Sequence, residues 1–150
     1  MFNGNDIIKD YLIKSGWYSG RSMEKSMIIN NIYQEGYQIM DKVISFLQEF
    51  WDLTIYFENR RNGIQADDIK FQFEHATHLE VPERINGEYS RRIKKQLCLI
   101  GSCYRDHMVL IMDQEGAVYG GYDSFLCKIA DNGYSAIEAI ILDYQFVEIE

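Results

Sequence analysis

Cys103 and His107 stand four residues apart, and a thiol held beside an imidazole is the beginning of nucleophilic catalysis. That chemistry also needs a group to orient the base and surroundings that favour thiolate, and neither is visible around this pair. The two read as ordinary residues flanking a loop and a strand. His75 and His78 are candidates for metal ligands, and they matter only if they converge. On a strand over residues 69–79, side chains three apart point to opposite faces, so no metal is expected there. Cys98 and Cys103 lack the two-residue spacing of a zinc knuckle, and no second such pair follows. Gly116, Gly120 and Gly121 do not sit in a strand, glycine-rich loop and helix, and no Lys-Ser or Lys-Thr follows them, so they fit a hairpin better than a phosphate loop. Asp67-Asp68 reads as an acid pair on a solvated loop. No catalytic residue, metal or cofactor is assigned.

Charge and aromatic rings offer a different kind of chemistry, that of a contact surface. The 150-residue chain has a formal net charge of -8, and residues 97–150 hold nearly all of it, with nine acids against Arg105 and Lys128. A surface of one sign repels nucleic acid and anionic membrane, and it steers a basic protein partner. The chain has eleven tyrosines, and Tyr104, Tyr119, Tyr122 and Tyr134 lie inside the same acidic third. Tyrosine with carboxylate suits a Lys/Arg-rich partner through hydrogen bonds and cation-π contacts. Acidity and hairpin placement select Asp106, Asp113, Glu115, Tyr119, Tyr122 and Asp123 as the expected contact residues. The plainer alternative is a solubilising charge over tyrosines that pack in the core.

These residues must be positioned by a packed domain, and the composition allows one. An apolar fraction of 47%, 14% aromatics and a single proline fit one compact unit over residues 1–150. No apolar run is long enough to span a bilayer, the N-terminal residues lack the pattern of a signal peptide, and three cysteines make no disulfide framework, so a cytosolic protein is expected. Ile7, Ile8, Tyr11 and Leu12 recur at helical spacing, with Gly16 where a C-terminal cap belongs. Apolar residues from Tyr33 to Phe50 advance by three or four, which predicts one longer amphipathic helix. Alternation over 53–57 and 69–73 predicts an antiparallel pair with a turn near Asn62-Gly63. A short exposed helix is expected over 88–96, opened by an Asn86-Gly87 turn. Strands follow at 97–100, 107–112, 117–122 and 125–130, with Asp113 to Gly116 as the clearest hairpin turn. A helix over 135–142 and an edge strand in 144–150 complete the chain. The expected fold class is α+β, with a twisted, mostly antiparallel central sheet of about five or six strands and flanking helices.

The order of these elements, with a few fixed residues, resembles the SUKH superfamily of Smi/Knr-like proteins. It is closest in pattern to the bacterial immunity proteins that open with a Gly-Trp-x-x-Gly-Arg turn. Here that turn is Gly16-Trp17-Tyr18-Ser19-Gly20-Arg21, directly after the first helix. Phe46-Leu47-Gln48-Glu49-Phe50 running into Leu53-Thr54-Ile55, the strand ending Ile100-Gly101, and the hairpin Asp113-Gln114-Glu115-Gly116-Ala117-Val118-Tyr119 match further. The final helix, with Glu138-Ala139, matches too, so the resemblance covers residues 5 to 142. Trp51 stands where a glycine is common, and Cys98-Leu99 where a proline is, departures that bear on loop geometry. The resemblance implies a non-enzymatic bacterial protein that binds a cognate polymorphic toxin domain, often a nuclease, without cofactor. A regulatory or scaffolding interaction module of the Smi/Knr type is the alternative. Gly16 and Gly20 permit positive φ, Trp17 offers a large ring to bury, and Arg21 suits a carbonyl cap or a carboxylate. Gly16, Trp17, Gly20, Arg21, Gly101 and Gly116 are therefore read as structural.

Overall fold

The computed structural model describes residues 6–59 and 65–150. Its elements run α1 (Asp6–Lys14), α2 (Lys25–Gln34), α3 (Asp41–Phe50), β1 (Thr54–Asn59), β2 (Gln65–Lys70) and α4 (Phe73–Thr77). A π-helical segment (Arg84–Tyr89) and α5 (Ser90–Ile93) come next. Then follow β3 (Leu97–Cys103), β4 (Met108–Asp113), β5 (Val118–Tyr122), β6 (Phe125–Ala130), α6 (Gly133–Ile141) and β7 (Val147–Glu148). The strands form one antiparallel sheet in which each pairs with the next in sequence, from β1 to β7. The architecture is the α+β class expected, with seven strands among the described residues.

Two helices replace the single one predicted over 33–50. α2 stops because Gly36 takes a φ of +90°, and the Tyr37 and Gly36 amides turn back to the Ile32 and Tyr33 carbonyls. This is the glycine-terminated helix cap, and α1 ends in the same way, with Gly16 at +103° and Trp17 N–H on Leu12 O. The three-and-four stride of apolar residues continues across Gly36 because Tyr37 and Met40 are buried after the break, as Val43 and Ile44 are within α3. A second correction concerns 69–73. Phe71 and Phe73 are buried as alternation implies, yet the strand ends at Lys70 and Phe73 already begins α4. The turn near Asn62-Gly63 lies outside the described residues. A third concerns Asn86-Gly87, which lies inside the π-helical segment, where Ser90 N–H reaches back five residues to Ile85 O. That helix is also less exposed than expected, since Ile85 and Tyr89 are wholly buried.

Every residue of β3 and β4 is buried, so the centre of the sheet is covered on both faces. The π-helical segment and α4 pack on β3, and α3 packs on β3 and β4. α6 touches both β6 and β1, strands far apart in the sheet order, which requires the sheet to curl around it. Two structural details permit this packing. At Leu99/Gly101 the β3–β4 register shifts, and a Cβ on Gly101 would stand 2.2 Å from the Lys70 carbonyl oxygen. In β5, a Cβ on Gly120 would strike Met108 and one on Gly121 the Tyr89 ring, so this glycine pair serves strand packing rather than a turn. Among the described residues, no helix is long and apolar enough to cross a membrane.

Candidate protein-interaction surface

The strand pairing sorts the expected contact residues onto two ends of the sheet. β4 runs from the 104–107 loop to the Asp113 turn, and β5 runs back to Tyr122, so Asp106, Tyr122 and Asp123 share one end while Asp113, Glu115 and Tyr119 share the other. A six-residue strand is roughly 17–20 Å long, too far for the six to form one contact cluster.

At the first end, Tyr104, Arg105 and Asp106 all take left-handed φ values, of 55°, 54° and 66°. Such a run costs roughly 1–2 kcal/mol per residue and needs anchors. The buried Asp68 supplies two, since its carbonyl accepts from Tyr104 N and its carboxylate from Arg105 N. Asp67 and Asp68 are thus buried strand residues, not a solvated pair, and Asp68 is the one that holds this loop. Asp106 supplies the rest by accepting from Lys70 Nζ at 3.2 Å, His75 Nε2 at 2.8 Å and Ser102 Oγ at 3.0 Å. Burial alone would raise the Asp106 carboxyl, but the hydrogen bonds from His75, Ser102 and Lys70 outweigh it and hold the group below its ordinary range. A depressed folded-state value means that the stabilisation is full above about pH 4 and is lost as pH falls through the folded value. The loop amides of 104–107 are expected to lose hydrogen-exchange protection in that acid window. Asp106→Asn should flatten the response, and an unchanged acid response in that variant would count against the anchor.

The neighbouring β5–β6 turn is held from below. Arg84 Nη1 and Tyr89 Oη–H both donate to Asp123 O, at 2.8 and 2.7 Å, and Arg92 donates to Ser124 O and to Ile149 O. Glu80, Arg84, Glu88 and Arg92 form a ladder of i,i+4 ion pairs that aims both guanidinium groups. Above this frame Tyr122 stacks on Phe125 with centroids 4.9 Å apart, and the His107 ring lies tilted against Tyr122 at 4.6 Å. Tyr104, His107, Met108, Tyr122 and residues 143–146 line a cleft of about 480 Å³. The chain reaches it from α6 through Asp143, at a φ of +60°, with Tyr144 N–H closing on Ala139 O. Asp123 and Asp143 are exposed beside these rings, together with Arg105. Asp143 and Tyr144 were not among the expected contact residues. Their signal was a tail that alternates only weakly and says nothing of a cleft.

At the opposite end, Asp113 is 1% exposed and faces inward. Its Oδ1 accepts from Glu115 N and Ala117 N, and its Oδ2 from the Tyr119 hydroxyl at 2.8 Å. Burial and this hydrogen bond push the Tyr119 hydroxyl well above its usual range. Asp113 and Tyr119 therefore hold the hairpin whose turn Gly116 closes at a φ of +95°, and neither side chain is available to a partner. Glu115 is exposed and paired with Lys95, and the Lys42 side chain lies beside Gly116, so bases accompany the acid at this end.

The Gly16 to Arg21 turn is built into the core. Trp17 is buried and donates through Nε1 to Glu49 Oε2 at 2.8 Å, while the Tyr134 hydroxyl donates to the other oxygen of the same carboxylate. Arg21 donates to the Glu49 and Trp51 carbonyls at 2.6 and 2.7 Å, capping the end of α3. Gly20 sits at a φ of +85°. Trp51, one of the departures from the family pattern, stacks on Phe73 at 5.6 Å.

The chemistry considered first finds no support in this geometry. Cys103 is wholly buried, burial pushes its thiol well up, and among the described residues no hydrogen bond joins it to His107. His75 lies on α4 and not on a strand, so the opposite-face reasoning for His75 and His78 does not apply, and His75 is engaged by Asp106. Among the described residues, no three His, Cys, Asp or Glu side chains gather as metal ligands.

Fold and surface together define a class: an α+β protein with a curled antiparallel sheet, whose buried polar groups brace loops around an acidic, aromatic rim. The model of the SUKH-3 immunity protein family matches residues 5–143, and the chain belongs to that family, within the SUKH superfamily. No curated protein and no solved structure matches it.

Proposed function

We propose that this protein acts in the bacterial cytoplasm by binding and neutralising the toxin domain of a cognate polymorphic toxin, and that this toxin is a nuclease. Membership of an immunity family supports the binding role. The observation that carries the finer reading is the acidic and aromatic end of the sheet, where Asp123, Asp143 and Tyr122 are exposed together above a braced turn. A nuclease must present a basic surface to its phosphate substrate, and an acidic protein that occupies this surface blocks it without any chemistry of its own. Asp106, Tyr122 and Asp123 remain contact residues at this end in this reading and Glu115 a separate contact at the other, while Asp113 and Tyr119 act behind the surface.

The test starts with affinity capture from the native host. The captured toxin domain is then expressed alone and together with this protein. The expected result is arrested growth with degraded nucleic acid in the first case and restored growth in the second. Growth that stays arrested despite a stable complex would overturn neutralisation. Capture of housekeeping proteins alone would favour a regulatory interaction module.

A further inference from the structure

We propose that the outer edge of β7 docks an extended segment of the partner, added antiparallel as a further strand of the sheet with a lysine or arginine opposite Glu148. The proposal rests on the reading above for the partner's identity, while the open edge is a property of this chain alone.

The two edges of the sheet differ. At β1, α1 packs against the strand and the Tyr11 hydroxyl accepts from Glu58 N–H at 3.4 Å. At β7, no described residue pairs with the strand on its outer side. The strand register decides which groups face outward there. Ile149 N–H donates to Leu126 O at 2.8 Å, and Cys127 stands opposite Glu148. Opposed residues in an antiparallel ladder alternate between bonded and unbonded pairs, so Glu148 directs its N–H and C=O away from β6. An edge of this kind holds an extended chain through its backbone and selects it through alternate side chains.

The side chains supply the selection. Glu148 is exposed on the face it shares with Cys127, whereas Val147, 68% exposed, lies on the other face with Lys128. Lys128 is itself engaged by Asp131. A residue opposite Glu148 meets a carboxylate and its two neighbours meet Val147 and Ile149, so the matching segment is apolar, basic, apolar. Arg92 donates to both Ile149 O and Ser124 O, which joins this edge to the turn carrying the exposed Asp123. A basic segment on β7 therefore stays on the acidic surface. Short acidic edges ordinarily discourage pairing, and here that acts as a filter. A second copy centred on the same residue would set Glu148 against Glu148, a destabilising pair, and a cation in that place stabilises it.

The test follows the Glu148 amide by hydrogen exchange in the full-length protein, free and bound to the partner captured from the native host. It should exchange faster than the Ile149 amide in the free protein and slow about tenfold or more in the complex. Glu148→Pro removes the outward N–H and spares the Ile149 bond, so it should leave the thermal midpoint unchanged and weaken binding about fivefold to tenfold. Glu148→Lys keeps the backbone donor and covers the case in which proline disturbs the tail. It should weaken binding about fivefold at low salt, with the difference from the wild type shrinking at high salt. An unprotected Glu148 amide in a saturated complex, or wild-type affinity in both variants, would overturn the proposal. Protection that rises with the concentration of the free protein alone would give the edge to a second copy and overturn it too. Failed neutralisation with Glu148 protected removes the immunity reading and leaves the edge. Intact neutralisation with Glu148 unprotected removes the edge and leaves the immunity reading.

Discussion

Gly101→Ala is expected to lower stability by about 3 kcal/mol or more, at the upper end of what overpacking costs. The added Cβ would lie 2.2 Å from the Lys70 carbonyl oxygen and 3.2 Å from its carbon, and both are backbone atoms that no rotamer change can move aside. β2 meets β3 through the pairs Ile69 with Cys103 and Lys70 with Ser102, so any retreat of Lys70 opens the junction of the sheet's two halves. It would also carry away the Lys70 ammonium that holds Asp106 and, with it, the 104–107 loop. Gly87→Ala is the matched control. Nothing lies within 4 Å of its Cβ, and alanine is favoured over glycine in helical backbone by up to about 1 kcal/mol. Urea denaturation of the pair should separate them clearly, and equal midpoints would mean that the close approach at Gly101 relaxes without cost.

The second large effect is expected at Asp113. Asp113→Ala removes the acceptor for two backbone amides and one buried hydroxyl, leaving Ala117 N–H and Tyr119 Oη–H buried without it. Breaking such a buried charged network costs about 3–5 kcal/mol, which lowers the thermal midpoint by roughly 10 °C in a protein of this size. Asp113→Asn keeps one acceptor oxygen and should lose about half as much. Calorimetry gives the midpoints, and partner affinity measured on the folded fraction provides the second readout. Affinity should be unchanged in Asp113→Asn, because the side chain faces the core. A loss of affinity with little loss of stability would return Asp113 to the contact surface.

These two residues show what a sequence makes legible and what it does not. The Asp113 to Gly116 turn could be read because a polar four-residue segment ending in glycine between apolar runs has few other conformations. Which way the Asp113 side chain points could not, since the same acid suits a solvent-facing turn and an inward cap equally well. Gly101 could be marked as fixed by resemblance, but the reason for it is a carbonyl on a strand some thirty residues away in sequence. Local patterns also misled where they crossed a break. Tyr33, Tyr37 and Met40 keep a helical stride through Gly36, and Phe71 and Phe73 keep a strand's alternation into α4, because burial persists after the backbone changes form. Asn86-Gly87 has turn chemistry and lies in a helix with one extra residue per turn. The cleft was only half visible. Tyr122 and Asp123 stood out by composition, whereas Asp143 and Tyr144 join them through tertiary structure, and Glu49 draws Trp17 and Tyr134 together across 32 and 85 residues.

The ion-pair ladder beneath the cleft changes what ionic strength does to this protein. A strand of two residues would ordinarily fray first, yet Arg92 grips Ile149 with one nitrogen and Ser124 with another. Loosening Arg92 from Glu88 therefore slackens one link to the tail and one to the turn together, while Arg84 and Tyr89 still hold the turn at Asp123. Salt acts here twice, screening the approach of a charged partner and slackening the brace that keeps the rim in shape. An interaction of this surface that weakens in salt reports on the brace as well as on the charges that face the partner.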